Sequence, residues 1–234
     1  MSTLYLVRHA QASFLSDDYD RLSELGVEQA RQLGRWLAAR SEGLDAVFVG
    51  PRRRHAHTAE VLLDELPAGV PVERLDELDE YPAEEVLRAR FETLTSARAE
   101  LAAVAADIGH EDRRRRGRAF DLLLQAALHD WVRRERADAD HERWQAFRAR
   151  VESALGRLTR DEGSGRRVLA VSSAGTIGAL VAGVLGAPGE TALELGFMLN
   201  NAALSEIAHS RGKRSLARFN VLGHLADPSH WTRR

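Results

Sequence analysis

The chain opens with the apolar run Leu4-Tyr-Leu-Val-Arg-His9, which ends on an arginine and a histidine. A short run of strand-forming residues without polar alternation predicts a strand that is buried on both faces. Two later segments, Ala46-Val-Phe-Val-Gly50 and Val168-Leu-Ala-Val-Ser172, have the same character. Because helical patterns follow these runs, the sequence predicts an α/β fold, a three-layer α/β/α sandwich around a mostly parallel sheet.

The segments between these strands carry helix signals. Residues 23–40 place apolar side chains at helical spacing after Ser23, which we expect to cap the helix. Residues 54–66 predict a second helix, which Pro67-Ala-Gly69 ends, and a third strand is expected near Val72.

A helical stretch of about residues 82–158 interrupts the alternation of strands and helices. We expect one domain over residues 1–234, with this stretch as a helical cap insertion and Asp112–Arg118 as a basic turn within it. Residues 176–185 predict another helix. Residues 205–209 and 215–219 predict a closing pair of strands around Arg211-Gly-Lys213.

Bulk composition narrows the classes of protein. The chain has 234 residues, 44% hydrophobic and 29% charged, with a formal net charge of −2. This composition is typical of a globular protein and gives no overall attraction to nucleic acid or anionic membrane. The sequence has no cysteine, which excludes disulfides and thiolate chemistry. An early charge argues against a signal peptide and no apolar run predicts a membrane span, so we expect a cytoplasmic protein.

Polar residues with related chemistry follow the predicted strands. They are Arg8 and His9, the arginines 52–54, the carboxylates within residues 75–80, and Ser173 before a helix. Ligands of open α/β sheets bind outside the carboxyl ends of the strands, where these residues would meet. Guanidinium groups and a helix N-terminus bind phosphate oxygens, an imidazole attacks phosphorus, and a carboxyl group protonates a leaving oxygen. The set predicts a site for a phosphoryl group, with His9 as the nucleophile.

Several motifs resemble those of the histidine phosphatase superfamily, also called phosphoglycerate mutase-like. Residues 6–13, with Arg8-His-Ala10, are similar to its opening Arg-His-Gly motif, with alanine in place of glycine. Leu22-Ser-Glu-Leu-Gly-Val-Glu-Gln-Ala30 resembles its Leu-Thr-x-x-Gly-x-x-Gln-Ala segment. Gly50-Pro-Arg-Arg-Arg-His-Ala-His-Thr-Ala59 resembles its Ser-Pro-x-x-Arg-Ala-x-Gln-Thr-Ala block, whose arginine falls on Arg54.

Three later segments extend the resemblance. Leu78-Asp-Glu80 matches the Leu-x-Glu that carries the family's acid, and Leu199-Asn-Asn-Ala202 is similar to a late Asn-containing strand entry. Val171-Ser-Ser-Ala-Gly-Thr176 resembles Val-Ser-His-Gly-Gly-Thr, with Ser173 in place of the family's second histidine. The resemblance covers nearly the whole chain except the helical insertion.

The resemblance implies a phosphomonoester hydrolase that works through a phosphohistidine on His9 and needs no metal or other cofactor. Arg8, Arg54 and Ser173 would bind the phosphoryl group, and Glu80 would protonate the leaving alcohol. The implied substrate is a small phosphorylated metabolite or a phosphoprotein. No nucleic-acid or membrane partner is expected, and the oligomeric state, including a homo-oligomer, stays open.

Several alternatives stand beside this interpretation. Glu77 fits the same short motif as Glu80, and Ser173 could serve only as a helix cap. Because serine lacks the positive charge of a protonated histidine, a phosphate-binding or regulatory protein with weak or no turnover is the second hypothesis. A mutase is a weaker hypothesis, because residues 78–85 lack the extended glycine-containing motif of that branch of the family. An RNA-associated protein that binds through residues 113–118 is a weaker hypothesis still. Spacing alone cannot place the other histidines that could approach the site, namely His55, His57, His110 and His224.

Overall fold

The opening apolar run forms strand β1, Ser2–Arg8, in a computed structural model that describes residues 1–13, 20–40, 43–133, 142–160 and 164–233. The other strands of the described residues form one sheet with β1. They are β2 (Ala46–Val49), β3 (Val72–Arg74), β4 (Arg167–Ser172), β5 (Leu204–Ser210) and β6 (Lys213–Val221). The strands predicted from apolar runs are therefore present, and the predicted closing pair is β5 and β6.

The strand order β3-β2-β4-β1-β5-β6 places the three apolar runs side by side. Strands β3, β2, β4 and β1 run parallel to one another, whereas β5 runs antiparallel to both β1 and β6. Arg8 pairs with Ser172 at the carboxyl ends of β1 and β4, and Val49 pairs with Val171. The predicted α/β fold with a mostly parallel sheet is confirmed, and the residues that follow β1, β2 and β4 lie at one edge.

The described helices alternate with these strands or lie between β3 and β4. They are α1 (Glu24–Ala39), α2 (Arg53–Leu63), α3 (Ala83–Ala97), α4 (Ala99–Ala105), α5 (Arg113–Arg133), α6 (Trp144–Leu158), α7 (Ala174–Leu185) and α8 (Gly189–Met198). Ser23 caps α1 as predicted, because its Oγ accepts from the Gly26 backbone N–H at 3.0 Å. None of the helices in the described ranges is long and apolar enough to cross a lipid bilayer.

Burial on both faces of the sheet explains why the strand sequences lack polar alternation. On one face Tyr5 and Val7 of β1 pack in a cluster with Leu33 of α1 and Leu62 of α2. The side chain of Leu6 points to the opposite face and is also fully buried. Residues with such surroundings must be apolar at every position, as the sequence pattern indicated.

Internal contacts divide the chain into two units, residues 1–80 with 150–234, and residues 81–149. In the second unit, aromatic rings pack against one another. The ring centroids of Trp131 and Trp144 lie 5.4 Å apart, and those of Tyr81 and Phe147 lie 5.6 Å apart. Trp131, Trp144 and Phe147 are buried in the core of that unit, and Tyr81 is half-buried. Part of the predicted helical stretch, residues 134–141, lies outside the described residues.

Two local predictions were wrong, and one helix was not predicted. The basic segment 112–118 is not a turn: α5 begins at Arg113, and the Asp112 carboxylate accepts from the Arg114 N–H at 2.8 Å, which caps the helix. Helix α2 ends at Leu63, before the predicted residue 66. Helix α8 was not predicted.

Candidate active site

His9 follows β1 directly, and hydrogen bonds fix its backbone. Its N–H donates to the Ser172 carbonyl at 2.9 Å, which continues the pairing of β1 with β4. Its carbonyl accepts from the Asn201 side chain at 3.2 Å and from the Ala202 N–H at 3.3 Å. The backbone that carries the imidazole is therefore held from two sides.

The His9 ring has a defined tautomer. Its Nδ1 lies 2.8 Å from the Ala10 carbonyl oxygen, which only accepts hydrogen bonds, so Nδ1 carries the proton and Nε2 carries a lone pair. Burial lowers the pKa of His9 well below its usual value, and the nearby charges of Arg8 and Arg54 lower it further. The result is a neutral imidazole that presents a nucleophilic nitrogen at neutral pH.

Arg54 is the one buried residue of the three consecutive arginines. Its Nη1 donates to the Asp20 carboxylate at 2.7 Å, and its Nη2 donates to the Ser173 hydroxyl at 3.2 Å. Arg52 instead forms a salt bridge with Asp79, and Arg53 is exposed. Arg54 therefore bonds to the serine that follows β4, and its charge lowers the pKa of His9.

Arg8 lies close enough to His9 to lower its pKa, yet its terminal nitrogens bind backbone groups. Nη1 donates to the Leu199 carbonyl, and Nη2 donates to the Arg233 carbonyl at 2.8 Å. The neighbouring Thr232 hydroxyl donates to Asn201 Oδ1 at 3.0 Å. The last described residues of the chain thus pack beside the segment that follows β1.

Ser173 precedes α7, but its side chain makes no capping hydrogen bond to that helix. Its Oγ lies 2.7 Å from Nε2 of His55, in addition to accepting from Arg54. The interpretation of Ser173 as only a helix cap therefore does not fit the geometry, because the hydroxyl joins two side chains of α2.

His55 is the functional candidate that sequence spacing could not place. It is fully buried, and its ring centroid lies 5.7 Å from that of His9. Burial lowers the pKa of His55 well below its usual value, the charges of Arg54 and Arg52 act in the same direction, and a hydrogen bond with the Gly50 backbone opposes them. The motif did contain a signal, since histidine stands where the resembled block has alanine.

His57, His110 and His224 each have different surroundings. His57 lines a surface pocket of about 320 Å³ with Asp20 and Arg53. His110 accepts from the Asp112 N–H in the unit of residues 81–149. His224 is buried beside Trp36, and burial lowers its pKa to about 4.

Glu80 reaches the same end of the sheet from the segment that follows β3. Its Oε2 accepts from the Gly175 N–H at 3.0 Å, in the first turn of α7. Backbone N–H groups at a helix N-terminus attract anions, so they draw the carboxylate towards the Ser173 end of α7. Glu77 has a different position in this segment: its backbone carbonyl accepts from Arg150 at 3.0 Å.

Side chains from β4, α6 and α7 hold the backbone before Glu80. The Ser172 hydroxyl donates to the Leu78 carbonyl at 2.7 Å, and the Thr176 hydroxyl donates to the Asp79 carbonyl at 2.7 Å. Arg150 Nη1 also donates to the Asp79 carbonyl, at 2.9 Å. These bonds fix the start of the segment whose carboxylate faces α7.

The arrangement combines a neutral imidazole, a buried guanidinium, a hydroxyl, a helix N-terminus and a carboxylate. These groups suit transfer of a phosphoryl group to a nitrogen nucleophile with proton transfer to the leaving oxygen. Within the described ranges, no three histidine, aspartate or glutamate side chains lie close enough together to hold a metal ion.

Comparison with protein families gives a match over most of the chain. The sequence model of the histidine phosphatase superfamily (branch 1) matches residues 4–123 and 115–222. A 2,3-bisphosphoglycerate-dependent phosphoglycerate mutase from Methylorubrum extorquens is 35% identical over 72 residues, which are 28% of this chain and 34% of that protein. The chain therefore aligns with about a third of the length of this relative.

Solved structures share the whole fold at lower identity. An alpha-ribazole phosphatase from Shigella flexneri superposes with a TM-score of 0.62 and 22% identity, over 94% of this chain and 96% of that chain. A phosphoserine phosphatase from Entamoeba histolytica superposes with a TM-score of 0.64 and 16% identity, over 96% and 100% of the two chains. These structures share the α/β fold described above, and at such identities they inform on the fold alone.

Proposed function

Because the chain belongs to the histidine phosphatase superfamily, we propose that it is a phosphomonoester hydrolase acting through a phosphohistidine on His9. The observation that carries the proposal is the tautomer of His9. The Nδ1–H of His9 donates to the Ala10 carbonyl, so the proton stays on Nδ1 and the Nε2 lone pair is available for attack on phosphorus. A neutral ring is needed for this step, and burial beside two arginines favours it.

The reaction has two steps. In the first, His9 Nε2 forms a bond to phosphorus, the bond from phosphorus to the ester oxygen breaks, and Glu80 in its protonated form gives the leaving alcohol a proton. In the second, water attacks the phosphohistidine, Glu80 takes a proton from this water, and inorganic phosphate leaves His9. Neither step requires a metal or another cofactor.

Positive charge and hydrogen-bond donors stabilise the phosphoryl oxygens during both steps. Arg54 and Ser173 are the proposed contacts, because they lie together beside His9. The charge of Arg8 acts on the same site, and its direct contact with a phosphoryl oxygen stays a prediction. For such a contact Arg8 would use donors besides those given to the Leu199 and Arg233 carbonyls.

The proposed substrate is a small phosphorylated metabolite or a phosphoprotein. Support comes from similar structures, whose names describe an alpha-ribazole phosphatase and a phosphoserine phosphatase. The relative from Methylorubrum extorquens is a mutase, so turnover of 3-phosphoglycerate is the assay that separates mutase from hydrolase activity.

Hydrolysis of p-nitrophenyl phosphate in the presence of EDTA tests the proposal, with intact-mass detection of phosphoenzyme after an acid-free quench. The His9→Ala variant should lose both turnover and the phosphoryl adduct. His57→Ala, a histidine on the surface pocket, is the matched control and should retain both. Turnover that survives in His9→Ala would show that this mechanism is wrong.

A second candidate function is phosphate binding or regulation with weak or no turnover. The observation that favours weak turnover is the pairing of Arg54 with Asp20, because this anionic partner reduces the positive charge available to a phosphoryl transition state. This candidate predicts calorimetric binding of inorganic phosphate without hydrolysis of any tested ester. Rapid, His9-dependent turnover of the aryl phosphate excludes it.

A further inference from the structure

Three positions at which this sequence differs from the resembled motifs lie together in space. Gly50 stands in place of serine, His55 in place of alanine, and Ser173 in place of histidine. The Ser173 hydroxyl lies 2.7 Å from the His55 ring nitrogen Nε2. A Cβ atom added at Gly50 would lie 2.4 Å from the other ring nitrogen, Nδ1. Residues far apart in the chain that differ from the motifs therefore meet at one place in the fold.

The contacts show how each of these residues depends on the others. The imidazole of His55 occupies space that any side chain at position 50 would fill. It also occupies the space beyond the Ser173 hydroxyl, so a histidine at position 173 would collide with it. The short side chains at positions 50 and 173 thus make room for one buried ring.

The hydrogen bonds connect this ring to the proposed phosphoryl-binding group. A hydroxyl both donates and accepts, so Ser173 bonds to the neutral His55 ring in either tautomer. The same hydroxyl accepts from Arg54 Nη2 at 3.2 Å. His55, Ser173 and Arg54 form a continuous chain, and the His55 ring lies beside His9, with 5.7 Å between the ring centroids.

From this geometry we infer that His55 is a positioning residue that holds Ser173 and Arg54 in place for a phosphoryl group on His9. In this chain the imidazole stands at position 55 rather than at position 173, and Ser173 connects it to Arg54. The inference deepens the proposed function and rests on it for the identity of the bound group. It assigns a role to His55 and explains how a serine at position 173 is accommodated.

Binding of orthovanadate, measured by calorimetry on the intact chain, tests the coupling without requiring turnover. His55→Ala and Ser173→Ala should each weaken binding about tenfold, the effect of losing one hydrogen bond that supports a charged group. The double variant should bind as weakly as Ser173→Ala alone, because both changes break the same chain. His55→Gln, whose amide reaches the position of Nε2, should recover most of the affinity, and the control His57→Ala should bind like the parent.

The expected collision between histidines at positions 55 and 173 has a sharper test. Ser173→His should lose vanadate affinity and thermal stability because of the collision with His55, whereas the double variant His55→Ala with Ser173→His should recover both. The inference is overturned if His55→Ala binds vanadate like the parent, or if His55→Gln binds it as weakly as His55→Ala. It is also overturned if the losses of affinity in His55→Ala and Ser173→Ala multiply in the variant that combines these two changes. It also fails if Ser173→His binds as tightly as the parent, or if the parent binds no vanadate.

These outcomes separate the inference from the proposed function. A parent that shows the predicted coupling in vanadate binding but hydrolyses no ester would retain the inference and refute the hydrolase. If the parent shows His9-dependent turnover and His55→Ala does not change vanadate binding, the hydrolase is retained and the inference is refuted. Thermal melting of every variant identifies those that do not fold, and His55→Gln, which preserves size and hydrogen bonding, then decides the result.

Discussion

The Asp20 carboxylate forms a salt bridge with Arg54, with 2.7 Å between Oδ1 and Nη1. Its second oxygen accepts from the Arg53 N–H, also at 2.7 Å, at the start of α2. An anion that binds Arg54 must share this guanidinium with Asp20 or displace the carboxylate. The salt bridge therefore opposes phosphate binding while it supports the helix.

We expect Asp20→Asn to bind inorganic phosphate about fivefold more tightly, because it removes a competing charge worth about 1 kcal/mol. Asparagine keeps an acceptor for the Arg53 N–H, so the start of α2 should remain intact. Calorimetry measures the affinity, and Glu60→Gln, at an exposed carboxylate of the same surface pocket, is the control. Equal or weaker phosphate binding by Asp20→Asn would contradict competition.

Replacement of Glu80 should separate substrates by their leaving groups. With an alkyl phosphate, Glu80→Gln should lower kcat about a hundredfold, since the leaving alkoxide needs a proton. With p-nitrophenyl phosphate, whose phenolate leaves without protonation, the loss should be much smaller. Glu77→Gln is the matched control, and a larger loss for it than for Glu80→Gln would reverse the assignment of the acid.

The pKa of His9 should lie below its ordinary value of 6.5, because burial and the charges of Arg8 and Arg54 disfavour the imidazolium. The neutral nucleophile then persists as the pH falls from 7 to 6. Protonation of His9 should therefore cause no decline of kcat/KM over this range. NMR titration of the His9 Hε1 signal, assigned with His9→Gln, measures the pKa directly. Arg54→Gln should raise this pKa, and a value above 6.5 in the parent would be inconsistent with the buried neutral ring.

Acid should destabilise the fold through His224. Burial lowers its pKa to about 4, whereas the unfolded chain binds a proton near pH 6.5. The unfolded state therefore binds more protons between these values, and stability falls as the pH decreases through this window, by about 2 kcal/mol at pH 5.

Urea unfolding at pH 7 and pH 5 measures this contribution. The non-ionisable variant His224→Gln should lose about 2 kcal/mol less than the parent between these two pH values. His57→Gln should show the same loss as the parent, since this histidine lines a surface pocket. If His224→Gln and the parent lose equal stability, His224 does not titrate in the predicted way.

The local sequence was sufficient to predict most of the strands and the residue that caps α1. Runs such as Leu4–Val7 are apolar at every position because both faces of the sheet are covered, and this requirement is visible in the sequence. The family match confirms the resemblance that the motifs around His9, Arg54 and Glu80 predicted. These motifs are short and contiguous, so a single segment carries each signal.

Packing decided the elements that sequence reasoning missed. Helix α8 contains two glycines and has no strong periodicity, yet it packs tightly on α7, where a Cβ at Gly178 would lie 2.3 Å from the Ala192 carbonyl oxygen. The arginines at the start of α5 suggested a turn, but Asp112 caps a helix there. At α8 a tertiary contact outweighs intrinsic preference, whereas at α5 a local cap that the sequence already contained starts the helix.

The sequence by itself determined the α/β class, the strand that carries His9 and the candidate residues at the strand ends. Hydrophobic patterning and short motifs are local properties, which can be identified in the sequence without the folded structure. Only the tertiary structure decided that His55 reaches Ser173 and that Arg54 bonds to the same hydroxyl. Such contacts depend on which strand ends lie side by side, and hydrogen bonds of about 3 Å between residues distant in sequence form only when the whole sheet is assembled.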